Sequence, residues 1–135
     1  LTPHLMEASR LMSCDIMQMK EDLCQNAYEL AKKYHCIAVL KDAATIVAQE
    51  VDLVYINQSG NDGMATGGSG DILAGMITGL LGQGLSVHEA AVHGVYLHGL
   101  AGDHAKHDLG AYSMIASDII AHIKDVTGGN YEPVL

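Results

Sequence analysis

One stretch constrains this chain more than any other: Gly60-Asn61-Asp62-Gly63-Met64-Ala65-Thr66-Gly67-Gly68-Ser69-Gly70-Asp71, in which five residues are glycine. A largely apolar run, residues 72–81, follows directly. The pattern reads as a glycine-rich loop entering the N-terminus of a helix, with Asp71 at the junction. Free backbone N–H groups and the positive end of the helix dipole converge at such a junction, and glycine lets an anion approach the backbone. No Gly-Lys-Ser/Thr closes the loop, so it is not a Walker A motif. A plain connector before a core helix is the competing reading.

A chain of 135 residues suffices for one domain with a core. Phe and Trp are absent, so that core must come from Leu, Ile, Val, Ala and seven Met. The net charge of −9 argues against a nucleic-acid surface, which needs clustered Lys and Arg. It leaves a nucleotide site open, since backbone dipoles and one or two lysines can hold a phosphate. Cys14, Cys24 and Cys36 lack CxxC spacing and read as reduced thiols of a cytoplasmic protein. No signal peptide and no membrane-length apolar run is visible. The chain starts at Leu1, in what reads as a strand end, and we expect a piece of a longer polypeptide.

Residues 1–4 read as a strand leaving for a loop, because Pro3 biases Thr2 away from helix. Periodicity predicts helices over residues 5–12 and 17–34. The wholly apolar run 36–40 predicts a buried, parallel, central strand ended by Lys41. Residues 45–48 and 51–56 read as two further strands. The helix from Asp71 to about residue 81 carries Gly75 and Gly79, which imply close approach of the sheet. Ser86 to Glu89 is a capping box opening a helix to about residue 105. Ser113 is expected to cap a last helix over 114–124, with Met114, Ile115, Ile119, Ile120 and Ile123 inward. Residues 126–135 read as a tail. His88, His93, His98, His104 and His107 raise a metal site, but without HExxH or a nearby cysteine they read as packed or surface histidines.

Lys41 at the carboxyl end of a buried strand stands where open α/β sheets bind ligands, or simply reaches solvent. Asp71 at a helix start also has a plain structural reading, as an N-cap carboxylate. His4 and Glu7 open the first helix and read locally as helix-start residues.

Taken in order, Thr2-Pro3-His4-Leu5-Met6-Glu7, Leu40-Lys41 with Thr45-Ile46-Val47, Asn61 to Asp71, Val95 to Asp103, and Met114 to Ile120 form a consistent set. The set resembles the ADP/ATP-dependent NAD(P)H-hydrate dehydratases of the ribokinase-like superfamily, and specifically their C-terminal half. Asp42 departs from the glycine usual after the lysine, which bears on that turn's geometry.

The resemblance implies an α/β fold, part of a three-layer α/β/α sandwich. It implies conversion of the (S)-hydrate of NADH or NADPH back to the reduced dinucleotide with ATP or ADP and Mg2+. Asp71 would be the general base. His4, Glu7 and Asp71 would face the hydrated dinucleotide. Lys41, Asp42, Ala43, Ala44, Thr45 and Asn61 through Gly70 would line the nucleotide site. No protein metal cage is implied. A vitamin-precursor kinase of the same superfamily and an inactive nucleotide-binding fragment are the alternatives. A homo-oligomer, or association with a missing N-terminal half, is expected, with no nucleic-acid or membrane partner.

Overall fold

The computed structural model describes residues 1–51 and 54–128. The chain runs α1 (Leu5–Met12), α2 (Ile16–Glu21), α3 (Leu23–Tyr34), β1 (Ala38–Leu40), β2 (Ile46–Ala48), β3 (Val54–Ile56), a 3-10 turn (Asp62–Met64), α4 (Ser69–Gly82), α5 (Val87–Leu109) and α6 (Ala116–Thr127). Two residues of the third predicted strand and the tail from position 129 lie outside the described residues.

The strands form one sheet in the order β1-β2-β3, with both pairs antiparallel. Side chains alternate across it, as a pleated strand requires. Ala38, Leu40, Ile46 and Ala48 face α1–α3. Val39 and Val47, directly opposite each other in register, face Leu73 of α4 and Ala91 and Val95 of α5. Helices therefore cover both faces. A third cluster joins α5 to α6 through Leu97, Ala101, Ala105, Met114, Ile119 and Val126, with Met64 and Ile72 at its margin.

The expectation of a parallel β1 holds on one side only. Residues 1–4 run parallel beside it: Val39 N–H donates to Leu1 O (2.8 Å), Lys41 N–H to Pro3 O (2.9 Å), and a parallel bridge joins His4 and Lys41. Its other neighbour, β2, is antiparallel because the short turn between them permits only a hairpin.

The long predicted helix 17–34 is two helices. Asp22 takes an extended conformation, and its carboxylate accepts from Gln25 N–H at 2.9 Å. Asn26 Nδ2 donates to the last carbonyls of the preceding helix, Gln18 O and Met19 O. A capping aspartate thus splits an otherwise continuous apolar stripe.

Three further expectations are corrected. Gly75 and Gly79 face open space rather than the sheet. The close approaches fall on Gly94, against Ile77, and on Gly99, against Ser59. The last helix starts at Ala116, not at a Ser113 cap; Asp118 accepts from Ile115 N–H at 2.7 Å. That start leaves Ile115 and Ile120 exposed, whereas Met114 and Ile119 are buried. The capping box at Ser86 and Glu89 forms as read, and α5 continues to Leu109.

Candidate functional site

A cleft of about 710 Å³ opens at the carboxyl end of β1. Its floor is Lys41 and the turn to Thr45; its far wall is α5; its rim is the glycine-rich loop. The first turn of α4 closes it.

The loop is shaped by α5. Ser59 Oγ lies 2.9 Å from Tyr96 O and 3.0 Å from Asn57 Oδ1, and its single proton is shared between these two acceptors. Asp103 accepts from Gly60 N–H through Oδ2 and from Asn61 Nδ2 through Oδ1, both at 2.9 Å. Asn61 Oδ1 in turn accepts from Gly63 N–H at 3.0 Å and caps the 3-10 turn. One turn further along α5, Lys106 Nζ meets Asp62 Oδ1 at 2.8 Å. That ion pair holds the exposed Asp62 carboxyl below its usual range, the lysine hydrogen bond being the larger cause and its charge the next.

At Gly68 the backbone takes φ 93°, a left-handed value that suits glycine, and α4 begins at Ser69. Asp71 is therefore the third residue of the helix, not its cap. Ser69 N–H donates to Thr66 O, and Asp71 and Ile72 N–H to Gly68 O. The N–H groups of Gly67, Gly68 and Gly70 have no acceptor among the described residues. Beside them stands Lys41. A side-chain carbon on Gly70 would lie 2.9 Å from its Nζ, so the ammonium packs against the bare backbone of the first helical turn. Among the described residues that ammonium donates no hydrogen bond and forms no ion pair. Free amides, a helix N-terminus and an uncommitted cation at one point make an anion site.

Of the residues expected at the site, His4, Lys41, Asp42, Ala43, Thr45, Asn61, Asp62, Met64, Ala65, Thr66, Ser69 and Gly70 line the cleft. Glu7, Ala44, Gly63, Gly67, Gly68 and Asp71 do not line it. Gly63 instead packs against Met114 and Ala111. Asp71 is exposed, next in sequence to the lining. His4 and Glu7 form a reciprocal cap on α1: Glu7 N–H donates to His4 Nδ1 at 3.2 Å, and His4 N–H to Glu7 Oε2 at 2.8 Å. That backbone hydrogen bond, then the charges of His4, Lys41 and Arg10, lower the Glu7 pKa. Asp42 does not need the left-handed conformation that would have demanded glycine, so the turn accommodates it.

The cleft also contains residues that the sequence did not single out as site residues: Asn57, Ser59, Gly60, Leu73, Val95, His98 and Gly99. Asn57 and His98 are buried polar groups on apolar elements. Asn57 shows in the sequence only as a lone polar residue after a strand, whereas His98 stands among the histidines that raise a metal site and within the Val95 to Asp103 segment, with nothing local to mark it as a cleft residue.

The family model described as NAD(P)H-hydrate dehydratase matches residues 1–125. The chain belongs to the NAD(P)H-hydrate dehydratase family. Within this family it is 45% identical over 120 residues to the bifunctional NAD(P)H-hydrate repair enzyme of Moorella thermoacetica, covering 89% of this chain and 23% of that protein. The ADP/ATP-dependent NAD(P)H-hydrate dehydratase of Bacillus subtilis, co-crystallised with ATP and Mg2+, superposes with a TM-score of 0.89 at 29% identity. The match covers 93% of this chain and 46% of that one. A ribokinase-like superfamily protein from Enterococcus faecalis superposes at 0.75 with 34% identity, over 94% of this chain and 43% of that one. This dehydratase-family chain thus has part of the ribokinase-like fold, and it spans less than half the length of these relatives.

Proposed function

We propose that this chain is the C-terminal half of a ribokinase-like domain that returns the (S)-hydrate of NADH or NADPH to the reduced dinucleotide, using ATP or ADP. The observation that carries the proposal is the Lys41 ammonium packed on Gly70 beside the free amides of the α4 N-terminus. The terminal phosphate of the nucleotide would sit there. Asp42, Ala43, Thr45 and the cleft-lining residues of the loop between Asn61 and Ser69 would carry the rest of the nucleotide.

A ring hydroxyl is a poor leaving group, and a phosphate ester is a good one. Asp71 would take the hydroxyl proton as the hydroxyl oxygen attacks the terminal phosphorus. The bond to the nucleotide's bridging oxygen breaks, and ADP or AMP departs. Inorganic phosphate then leaves with the C–O electron pair, and loss of a proton from the adjoining ring carbon restores the double bond. His4 and Glu7 would face the dinucleotide. Lys41 and the amides of α4 stabilise the charge on the moving phosphoryl group.

Mg2+ would enter with the nucleotide as part of the co-substrate, held by phosphate oxygens and water. The nearby carboxylates Asp62 and Asp103 are already engaged by Lys106 and by the loop. Three unpaired cysteines fit a reducing cytoplasm. No helix among the described residues is long and apolar enough to cross a membrane. The apolar helix α4 buries only Leu73 and leaves Leu81 exposed, which supports association with the remainder of the fold or with a second copy.

The test is recovery of NADH absorbance from its hydrate with ATP or ADP, beside the Bacillus subtilis enzyme as control. Recovery that is lost in Asp71→Asn while ATP binding persists supports the proposal. Consumption of ATP into a phosphorylated vitamin precursor, without recovery of NADH, would falsify it in favour of the kinase alternative. Because Asp71 and Glu7 lie outside the cleft, a second reading is nucleotide binding without turnover by this chain. ATP binding with no NADH recovery would select it.

A further inference from the structure

The mechanism above uses Lys41, the α4 amides and Asp71, and leaves His98 without a task. His98 lies on α5, is 7% exposed and lines the cleft. Its Nε2 stands 3.4 Å from Oγ of Ser69, the first residue of α4 and itself part of the cleft wall. The same wall carries Leu73 and Val95, where a hydrocarbon side chain would pack at lower cost.

Burial, opposed by a hydrogen bond to the Ser69 backbone and aided by the Lys41 charge, lowers the His98 pKa to about 4. The ring is therefore neutral at pH 7, with one N–H and one acceptor nitrogen. The Ser69 hydroxyl has one proton to give. If Nε2 is the acceptor, that proton is spent on the ring. If Nε2 carries the hydrogen, the ring donates to Oγ, and the hydroxyl proton is free to turn into the cleft.

An anion seated at the α4 N-terminus favours the second arrangement, because it adds an acceptor within reach of the serine. Given the nucleotide site proposed above, we infer that His98 is a positioning residue: its Nε2–H donates to Ser69 Oγ and aims the serine hydroxyl at the bound phosphate. A charged histidine would also donate from Nε2, but it would place a second cation beside Lys41 in a buried wall, at the cost of desolvating that charge. The neutral ring contributes orientation and leaves the charge to Lys41.

The experiment measures ATP binding by calorimetry and the His98 tautomer by nitrogen-15 NMR. In the wild type, ATP should bring His98 to the Nε2–H tautomer. His98→Ala and Ser69→Ala should each weaken ATP binding about fivefold, the size of one ordinary hydrogen bond. The double variant should bind as weakly as either single one, because both act through one hydroxyl. His98→Gln places an amide nitrogen near the Nε2 position and should recover most of the affinity.

Unchanged binding in a folded His98→Ala, multiplied losses in the double variant, or an Nδ1–H tautomer in the ATP complex would overturn the inference alone. If His98→Ala does not fold, the Ser69→Ala and His98→Gln pair and the wild-type tautomer decide it. A wild type that binds no ATP would overturn the proposed function as well.

Discussion

The carboxylate of Asp103 accepts the Gly60 N–H at 2.9 Å and so fixes where the glycine-rich loop begins. Its second oxygen holds the Asn61 side chain, whose amide oxygen Oδ1 caps the next turn. The loop is thus laid along α5, with Ser59 tied to Tyr96 O at one end and Asp62 tied to Lys106 at the other. Glycine supplies the loop's permissiveness, and α5 supplies its shape.

Asp103→Ala removes two charge-assisted hydrogen bonds and leaves the Gly60 N–H without its acceptor. Stability should fall by about 1–3 kcal/mol, read from the urea midpoint. ATP affinity should fall with it, because the loop is no longer pre-organised. Asp103→Asn keeps one acceptor oxygen and should fall between the two. Equal stability of wild type and Asp103→Ala would show that the clamp is dispensable.

Gly70→Ala separates stability from binding. The added carbon meets only the flexible end of Lys41, at 2.9 Å, so the chain can move aside. Alanine in a helix gains up to about 1 kcal/mol over glycine, less in a first turn. The variant should be as stable as wild type or slightly more so, yet bind ATP more weakly because its ammonium is displaced. Weaker folding together with undiminished ATP affinity would contradict the placement of Lys41.

Helical glycines should divide by what they face. At Gly99 a side-chain carbon would lie 2.7 Å from backbone atoms of Ser59, which cannot swing away. Gly99→Ala should destabilise by about 1–3 kcal/mol, with the loop disturbed. Gly75 and Gly79 meet nothing within contact range, so alanine at either should stabilise by about 0.5–1 kcal/mol. Thermal denaturation of the three variants checks the order, and it fails if Gly75→Ala destabilises as much as Gly99→Ala.

His98 predicts a pH dependence of stability. Its pKa is about 4 when folded and 6.5 at the ordinary value, so between these pH values the unfolded chain binds more protons. Stability should therefore be unaffected by this group above pH 6.5, fall as pH drops toward 4, and level off below. The full difference is about 3 kcal/mol by order of magnitude. His98→Gln should lose less stability than wild type over that window. Parallel losses in the two proteins would place the titration elsewhere.

Local signals were legible in the chain because their physics is local. Residues 5–12 form α1 as the periodicity predicts, with the His4 and Glu7 cap at its start. The Ser86 and Glu89 box opens α5, and the glycine-rich run enters α4. The first two depend on side chains meeting the backbone within a turn, and the third on glycines that leave the backbone bare. Errors arose where one local signal outweighed another, as when Asp22 split a continuous apolar stripe, or where a glycine's neighbour lies far away in sequence. Gly75 and Gly99 look alike on helices, and only packing shows that one faces open space and the other faces Ser59.

The glycine-rich stretch alone determined that a loop would meet a helix start there, because free amides and absent side chains are properties of the residues themselves. Tertiary structure decided what that junction became. It brought Lys41 from the end of β1 onto Gly70, turned the Asp62 carboxylate to Lys106, and set His98 behind Ser69. These pairings join positions 29 to 44 residues apart, through elements whose approach is set by burial of the sheet's two faces. No pattern within a single helix or loop encodes that approach.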